Sequence, residues 1–396
     1  MGSSLLAKPT IRHNTDFIDR KTEVTDDIKS EPSRMIGAAH QLKKREKMKR
    51  TLPFYIALGV AFSSAQPVLA ADASGLTFYG RAHASADYLD NGEDSDLNVS
   101  SNSSRIGVRT STEIAPGLKG ILQVETQINY DNGNGTLASR DTFVGLEGNF
   151  GRVRLGQIDT PLKQLRTAVD VFGDQIGDLR NLTRLNGSTG APFTDQDFDA
   201  RFKNGIYYNT PSFGGFVFNF HYTPEVKEAT NLEDDSAAYS TSLAYEAGNL
   251  YFAVAHEQWE SLEDSSAVRV AARYKINNLT LGGLFQQATI KNQPVEEDVQ
   301  VFGVGATYKF SSKWLAKAQV YNLDAKDRED SGATLAAIGA DYILNSQFRV
   351  LFAYAQTDNE DVATYRVTGG GGYGDALATV AGETATGLSV GFRYDF

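Results

Sequence analysis

From residue 75 to the last residue, apolar and polar side chains alternate in runs of about ten to twelve. In 76–87, Thr77, Tyr79, Arg81, His83, Ser85 and Asp87 share one parity, and Leu76, Phe78, Gly80, Ala82, Ala84 and Ala86 the other. Leu118, Leu122, Val124 and Ile128 oppose Lys119, Gln123, Glu125, Gln127 and Asn129. The final segment sets Leu388, Val390, Phe392, Tyr394 and Phe396 against Ser389, Gly391, Arg393 and Asp395. A period of two marks a strand with one polar and one apolar face. Sixteen such segments are predicted, at 75–88, 104–114, 117–130, 139–149, 151–158, 201–211, 214–223, 237–247, 249–259, 266–276, 279–290, 299–310, 313–324, 333–344, 347–357 and 386–396.

The connections alternate in length. Short ones carry turn residues, such as Ala115-Pro116-Gly117, Gly248-Asn249 and Asn277-Asn278. Long ones run about 89–103, 131–138, 159–200, 224–236, 260–265, 291–298, 325–332 and 358–385. This is an up-and-down meander with its variation at one end. Soluble strands average about five or six residues, whereas a strand crossing a bilayer needs about nine to eleven. Unpaired backbone groups in lipid cost several kcal/mol each, so such a sheet must close. An even strand number with apolar-out, polar-in faces predicts an all-β fold, a 16-stranded antiparallel transmembrane β-barrel. The inward face reads as polar nearly throughout, which predicts a water-filled lumen. No run of eighteen apolar residues predicts a membrane helix.

The first seventy residues follow another pattern. Residues 1–47 are polar and aperiodic, and are read as a non-native or mis-called, disordered extension ahead of a start at Met48. A basic cluster, Lys43 to Arg50, precedes eleven residues without charge, Leu52 to Phe62, and then Val68-Leu69-Ala70. That order predicts a signal peptide over 48–70, cleaved after Ala70, with the barrel over 71–396. Eleven helical residues span only about 16 Å, too short for a bilayer.

Composition narrows the function. The chain has 396 residues and no Cys, so disulfides, thiolate metal sites and a cysteine nucleophile are excluded. Its net charge is -11; residues 1–70 hold 12 of the 38 basic and 7 of the 49 acidic side chains, so the remainder carries -16. Such a chain is not expected to bind nucleic acid. Gly387-Leu388-Ser389-Val390-Gly391 fits a nucleophile elbow but sits inside a predicted strand, without the strand–turn–helix setting the elbow needs. Gly369, Gly371 and Gly374 match a dinucleotide fingerprint, yet no helix pattern follows. His83, His221 and His256 lie on different strands without ligand spacing and are expected to be solvated or to join the girdle. The acids Glu233-Asp234-Asp235, Glu93, Asp94 and Asp96 lie in long loops, where solvation, or divalent-cation bridging to anionic lipid, is expected. No catalytic residue, cofactor or metal site is predicted.

Several fragments, in order, resemble the general diffusion porins of Gram-negative bacteria, over about residue 75 to Phe396. They include Leu76-Thr77-Phe78-Tyr79-Gly80, Ser104-Arg105-Ile106-Gly107-Val108-Arg109, Arg140-Asp141-Thr142-Phe143-Val144-Gly145-Leu146 and Tyr208-Asn209-Thr210-Pro211-Ser212-Phe213-Gly214-Gly215-Phe216. The resemblance implies a barrel with a long inward-folded third loop, here 159–200, and a homotrimer in the outer membrane. It implies passive diffusion of ions and small hydrophilic solutes, with no enzymatic reaction. It implies an acidic loop segment, Asp170, Asp174 and Asp178, facing a wall ladder of Arg105, Arg140 and Arg201, with Arg81 of the same parity. Val171 stands where some relatives carry an acid. Arg109, Lys119, Arg152 and Arg154 share the inward parity, some of them nearer the short-turn rim. Phe392, Tyr394 and the terminal Phe396 resemble the signal read by the outer-membrane assembly machinery; membrane lipids are the remaining partners. A substrate-specific channel is the alternative, and a barrel enzyme or a surface structural protein ranks lower. The sign of ion selectivity stays open, since the net charge favours cations at the mouth and an arginine ladder favours anions at the constriction.

Overall fold

The computed structural model describes residues 75–185, 197–225, 237–260, 264–291, 296–368 and 377–396. The predicted extension and signal peptide, Glu233-Asp234-Asp235 and the glycines at 369, 371 and 374 lie outside these residues. The chain divides into Met1–Leu69 and Ala70–Phe396, and every described residue belongs to the second unit.

That unit is one antiparallel sheet closed on itself. Its strands are β1 (Leu76–Asp90), β2 (Ser95–Ser101), β3 (Arg105–Ala115), β4 (Leu118–Ile128), β5 (Gly135–Thr136), β6 (Thr142–Gly148), β7 (Gly151–Asp159), β8 (Arg201–Asn209) and β9 (Phe216–Thr223). The far side of the sheet is β10 (Ala238–Ala247), β11 (Leu250–Trp259), β12 (Ser265–Ile276), β13 (Leu279–Ile290), β14 (Glu297–Lys309), β15 (Trp314–Ala325), β16 (Ala333–Ile343), β17 (Phe348–Asn359) and β18 (Ala385–Asp395). β2 and β3 pair with successive stretches of β1, and β5 and β6 with successive stretches of β4. Each couple is one interrupted stave, so the barrel has sixteen.

The first connection is much shorter than the predicted 89–103. β1 continues to Asp90 and β2 begins at Ser95. Asn91 Oδ1 accepts from the Glu93 and Asp94 amides at 3.0 and 2.7 Å, and Gly92 turns at φ +93°. The Asp- and Ser-rich composition hides the alternation there, although Leu97 and Val99 stand outward and exposed.

Closure runs through β1 and β18, with Ala82 opposite Tyr394 and Ala84 opposite Phe392. The chain end locks the seam: the Gly80 amide donates to the Phe396 carbonyl at 2.9 Å and the Phe396 amide to the Gly80 carbonyl at 3.1 Å. The Phe396 ring lies across Gly80, 5.9 Å from the ring of Phe78 and 5.5 Å from that of Tyr394. A Cβ at residue 80 would overlap that ring and meet the Arg105 carbonyl oxygen at 2.8 Å. Gly80→Val is therefore expected to destabilise the barrel by about 1–3 kcal/mol, the usual range of overpacking. A lower unfolding temperature in detergent, followed by circular dichroism, checks it.

The outward parity carries the large apolar side chains, Phe78, Phe218, Phe252, Phe302, Ile338 and Phe392 among them. The inward parity departs from the uniformly polar expectation. On β11–β17 many inward positions are alanine: Ala253, Ala255, Ala267, Ala271, Ala288, Ala337, Ala353 and Ala355. The β7–β8 connection packs against them. Leu162, Leu165, Val169, Leu179, Leu182 and Phe198 join one apolar cluster with these strands, and Phe172 and Ile176 a second. Small wall residues leave room for the connection, and its apolar side chains cover them. Gln319 donates to the Gly177 carbonyl at 2.7 Å and Lys317 to Gln175 Oε1 at 2.8 Å, which pins the middle of the segment. His83 and His221 are buried on the inward face rather than solvated.

Candidate functional site

Three of the four predicted wall arginines stand where a stave is interrupted or begins. Arg105 opens β3 just after the break at 102–104, Arg140 lies in the break between β5 and β6, and Arg201 opens β8. Ser103 and Ala138 in the two breaks take left-handed backbone, at φ +53° and +56°. Hydroxyls satisfy the interrupted ladder: the His83 amide donates to Ser104 Oγ at 2.9 Å, the Gln127 amide to Ser139 Oγ at 3.1 Å and the Glu125 amide to Thr142 Oγ1 at 3.2 Å. Arg81 lies directly opposite Arg105 across β1 and β3. Like charges in that register repel, so the wall must supply acids.

It supplies them sparingly: Glu125, Asp395, Asp341 and Asp159 each serve two bases. Glu125 takes Arg140 Nε at 2.5 Å and Arg105 Nε at 4.0 Å, and also accepts from the Tyr79 hydroxyl at 2.9 Å. Asp395 holds Arg81 at 2.7 Å and Arg393 at 2.9 Å. Asp341 holds Lys317 at 3.0 Å and Arg349 at 3.6 Å. Asp159 holds Lys163 at 2.8 Å and Arg201 at 2.9 Å, with Asp141 a second partner of Arg201 at 2.9 Å. The bases of these pairs, with Asp159 and Asp341, border a cavity of about 420 Å³ whose lining has ten basic and four acidic side chains. The surplus is positive although the chain is acidic.

The three predicted loop acids separate. Asp174 reaches the ladder, 3.5 Å from Arg81 Nη1. Burial opposes its ionisation, yet Arg180, Arg105, Arg81 and Arg140 hold its carboxyl below the usual carboxylate range. Asp170 and Asp178 instead turn to Arg166, at 2.8 and 3.1 Å. Asp170 still borders the cavity, whereas Asp178 is fully buried and also caps the amides of Asp174 and Arg180. Burial and the neighbouring Asp178 push the Asp170 carboxyl up to about 8 against the pull of Arg166. Burial brings the Lys163 ammonium down to about 8 despite its contact with Asp159.

A family model for Gram-negative porins matches residues 56–362, more than half of the chain. The chain belongs to the Gram-negative porin family. The porin is 30% identical over 304 residues to outer membrane porin protein 32 of Delftia acidovorans, covering 74% of this chain and 84% of that one. It is 26% identical over 209 residues to an outer membrane porin protein of Bordetella pertussis, covering 49% of this chain and 51% of that one. Among solved structures it is similar to the anion-selective porin from Comamonas acidovorans, with TM-score 0.71, 27% identity and coverage of 81% of this chain and 99% of that one. OmpT of Vibrio cholerae, at TM-score 0.61 and 20% identity over 84% of this chain and all of that one, shares the fold. The porin is thus an outer-membrane β-barrel that forms a passive diffusion channel.

Sequence reasoning missed six of the ten basic side chains in the porin's cationic ring. Arg393 and Arg349 extend the ladder beyond Arg81, and Lys317, Arg180, Lys163 and Arg166 complete the lining. Arg393 and Arg349 had the inward parity, but only the seam brings the last two strands beside β1. Nearer the short turns lies a separate cleft of about 330 Å³ with Arg109, Arg152 and Glu147 in its lining. Arg109 sits over the Tyr79 ring at 5.0 Å and Arg152 pairs with Glu147, so these side chains stand apart from the ring. Ser389 of the G-x-S-x-G match lies within β18, in strand conformation on both sides.

Proposed function

We propose that this porin passes small hydrophilic anions in preference to cations, with the β7–β8 connection and the arginine ladder as its constriction. The observation that carries the reading is the sharing of wall carboxylates, one acid to two bases at Glu125, Asp395 and Asp341. Each such group keeps one formal positive charge and guanidinium N–H donors beyond those its acid occupies. A row of them gives a permeating anion successive weak partners, while Asp174 relieves repulsion within the row without cancelling it. Fixed charges at the narrow point select by sign and the bore selects by size. Acids on the distant loops are screened over about 8 Å at physiological salt. The Comamonas acidovorans structure, described as an anion-selective porin, supports the same sign.

The channel reading leaves no role for an enzymatic reaction. A homotrimer, a signal peptide over 48–70 and non-native residues 1–47 belong to the same proposal. So does assembly through Phe392, Tyr394 and Phe396; the exposure of Phe392 and Tyr394 along β18, and of Phe396 just after it, supports it. Planar-bilayer recording of the purified porin in a salt gradient tests the reading. Ohmic steps, grouped in threes, are expected, with a reversal potential of anion-selective sign. A cation-selective sign overturns the selectivity proposal. Silence from folded, inserted protein overturns the open constriction.

A further inference from the structure

Asp199 stands two residues before β8 and is buried among three guanidiniums. Arg166 Nε lies 2.9 Å away, Arg180 Nε 2.7 Å and Arg269 Nη1 3.4 Å. The first two belong to the same connection as Asp199, and the third comes from wall strand β12. Burial opposes ionisation of Asp199, but Arg166, Arg180 and Arg269 hold its carboxyl far below the usual range.

Arg269 is fully buried and does more than pair with Asp199. Its Nη1 donates to the Leu162 carbonyl at 2.9 Å, and its Nη2 to the Phe198 and Thr183 carbonyls at 3.1 and 3.4 Å. Its Nε donates to Gln286 Oε1 at 2.8 Å, and the Gln286 amide donates to the Thr183 carbonyl at 3.0 Å. One wall side chain therefore grips the helix Pro161–Thr167, the helical turn Arg180–Thr183 and the segment that returns to the wall. If the connection lifted away, Arg269 would exchange Asp199 and the three carbonyls for water and keep only Gln286 of these partners. Neither Arg269 nor Asp199 lines the cavity, so neither meets a permeating ion there.

We propose that Arg269, acting through Asp199, is a positioning residue that fixes the β7–β8 connection against the wall and so sets the bore and charge preference of the channel. This rests on the reading of that connection as the constriction. Four variants of the whole porin test it: Arg269→Met, Arg269→Lys, Asp199→Asn and the Met/Asn double variant. Each is measured by hydrogen exchange of the amides in 160–185 and by single-channel conductance with reversal potential. Arg269→Met is expected to speed that exchange about tenfold or more, raise conductance by about half or more and lower the anion-to-cation permeability ratio at least about twofold. Arg269→Lys recovers part of each change, because an ammonium reaches Asp199 but cannot hold three carbonyls at once. The double variant changes exchange by less than the two single variants combined, since Arg269 and Asp199 share one contact, while the loss at Arg166 and Arg180 is common to both variants that carry an amide in place of the Asp199 carboxylate. Asp199→Asn leaves the wall intact and carries the test alone if Arg269→Met does not fold. Unchanged exchange overturns the latch. Faster exchange with unchanged conductance and reversal potential overturns the constriction reading, and the positioning role with it.

Discussion

The double variant Arg105→Gln, Arg140→Gln loses about tenfold in anion-to-cation permeability ratio. Each substitution removes one positive charge from the ladder that borders the cavity. A unit charge about 6 Å from an ion in water contributes about 0.7 kcal/mol, favourable for an anion and unfavourable for a cation. The difference is about 1.4 kcal/mol, and screening at physiological salt reduces it to roughly half. That leaves about threefold per charge and about tenfold for two. These two residues share Glu125, so both go together, and Glu125 is left with the Tyr79 hydroxyl as its partner. Reversal potentials measured on both sides of a salt gradient give the ratio directly. An unchanged ratio would move the selectivity element away from the ladder. Arg109→Gln is the control, because Arg109 sits over Tyr79 beside the other cleft, and its effect is expected to be small.

The same arithmetic gives the second large effect, which is one of pH. Lys163 and Asp170 both border the cavity and both belong to the β7–β8 connection rather than to a strand. The Lys163 ammonium, lowered by burial, carries its proton below about 8 and loses it above. The Asp170 carboxyl, raised by burial and Asp178, is neutral below about 8 and ionised above. Both titrations subtract positive charge as pH rises. The anion preference is therefore expected to be fully present near pH 6.5 and to fall by up to about tenfold by pH 9, at about threefold per charge. Lys163→Gln starts from a lower ratio and keeps only the Asp170 part of the fall. A ratio that is flat, or that rises with pH, would show that neither group titrates in this range.

The strands were legible because their signal is local. A lipid-facing side chain must be apolar, and its neighbours on either side must face the lumen, so the period of two is written residue by residue. Arg81, Arg105, Arg140 and Arg201 were legible as inward basic residues for the same reason, and all four border the cavity. The stretch around Leu97 and Val99 was not read as strand, because Ser, Asn and Asp are also what a loop contains.

The sequence by itself determined sixteen alternating segments, the short and long ends of the meander and the inward parity of the ladder. Tertiary structure alone decided three further things. Closure of β18 on β1 brought Arg393 and Arg349 into line with Arg81, a neighbourhood set by a pairing more than three hundred residues apart in the chain. Packing of the connection on the alanine wall sorted its acids: Asp174 turned to the ladder, and Asp170 and Asp178 turned to Arg166. Arg269 carries no local mark that separates it from other inward residues of β12. Its role comes from three carbonyls and a carboxylate that meet it only after the barrel has closed around the segment. Parity is a property of neighbours in sequence, whereas charge balance at a constriction belongs to groups gathered from across the whole barrel.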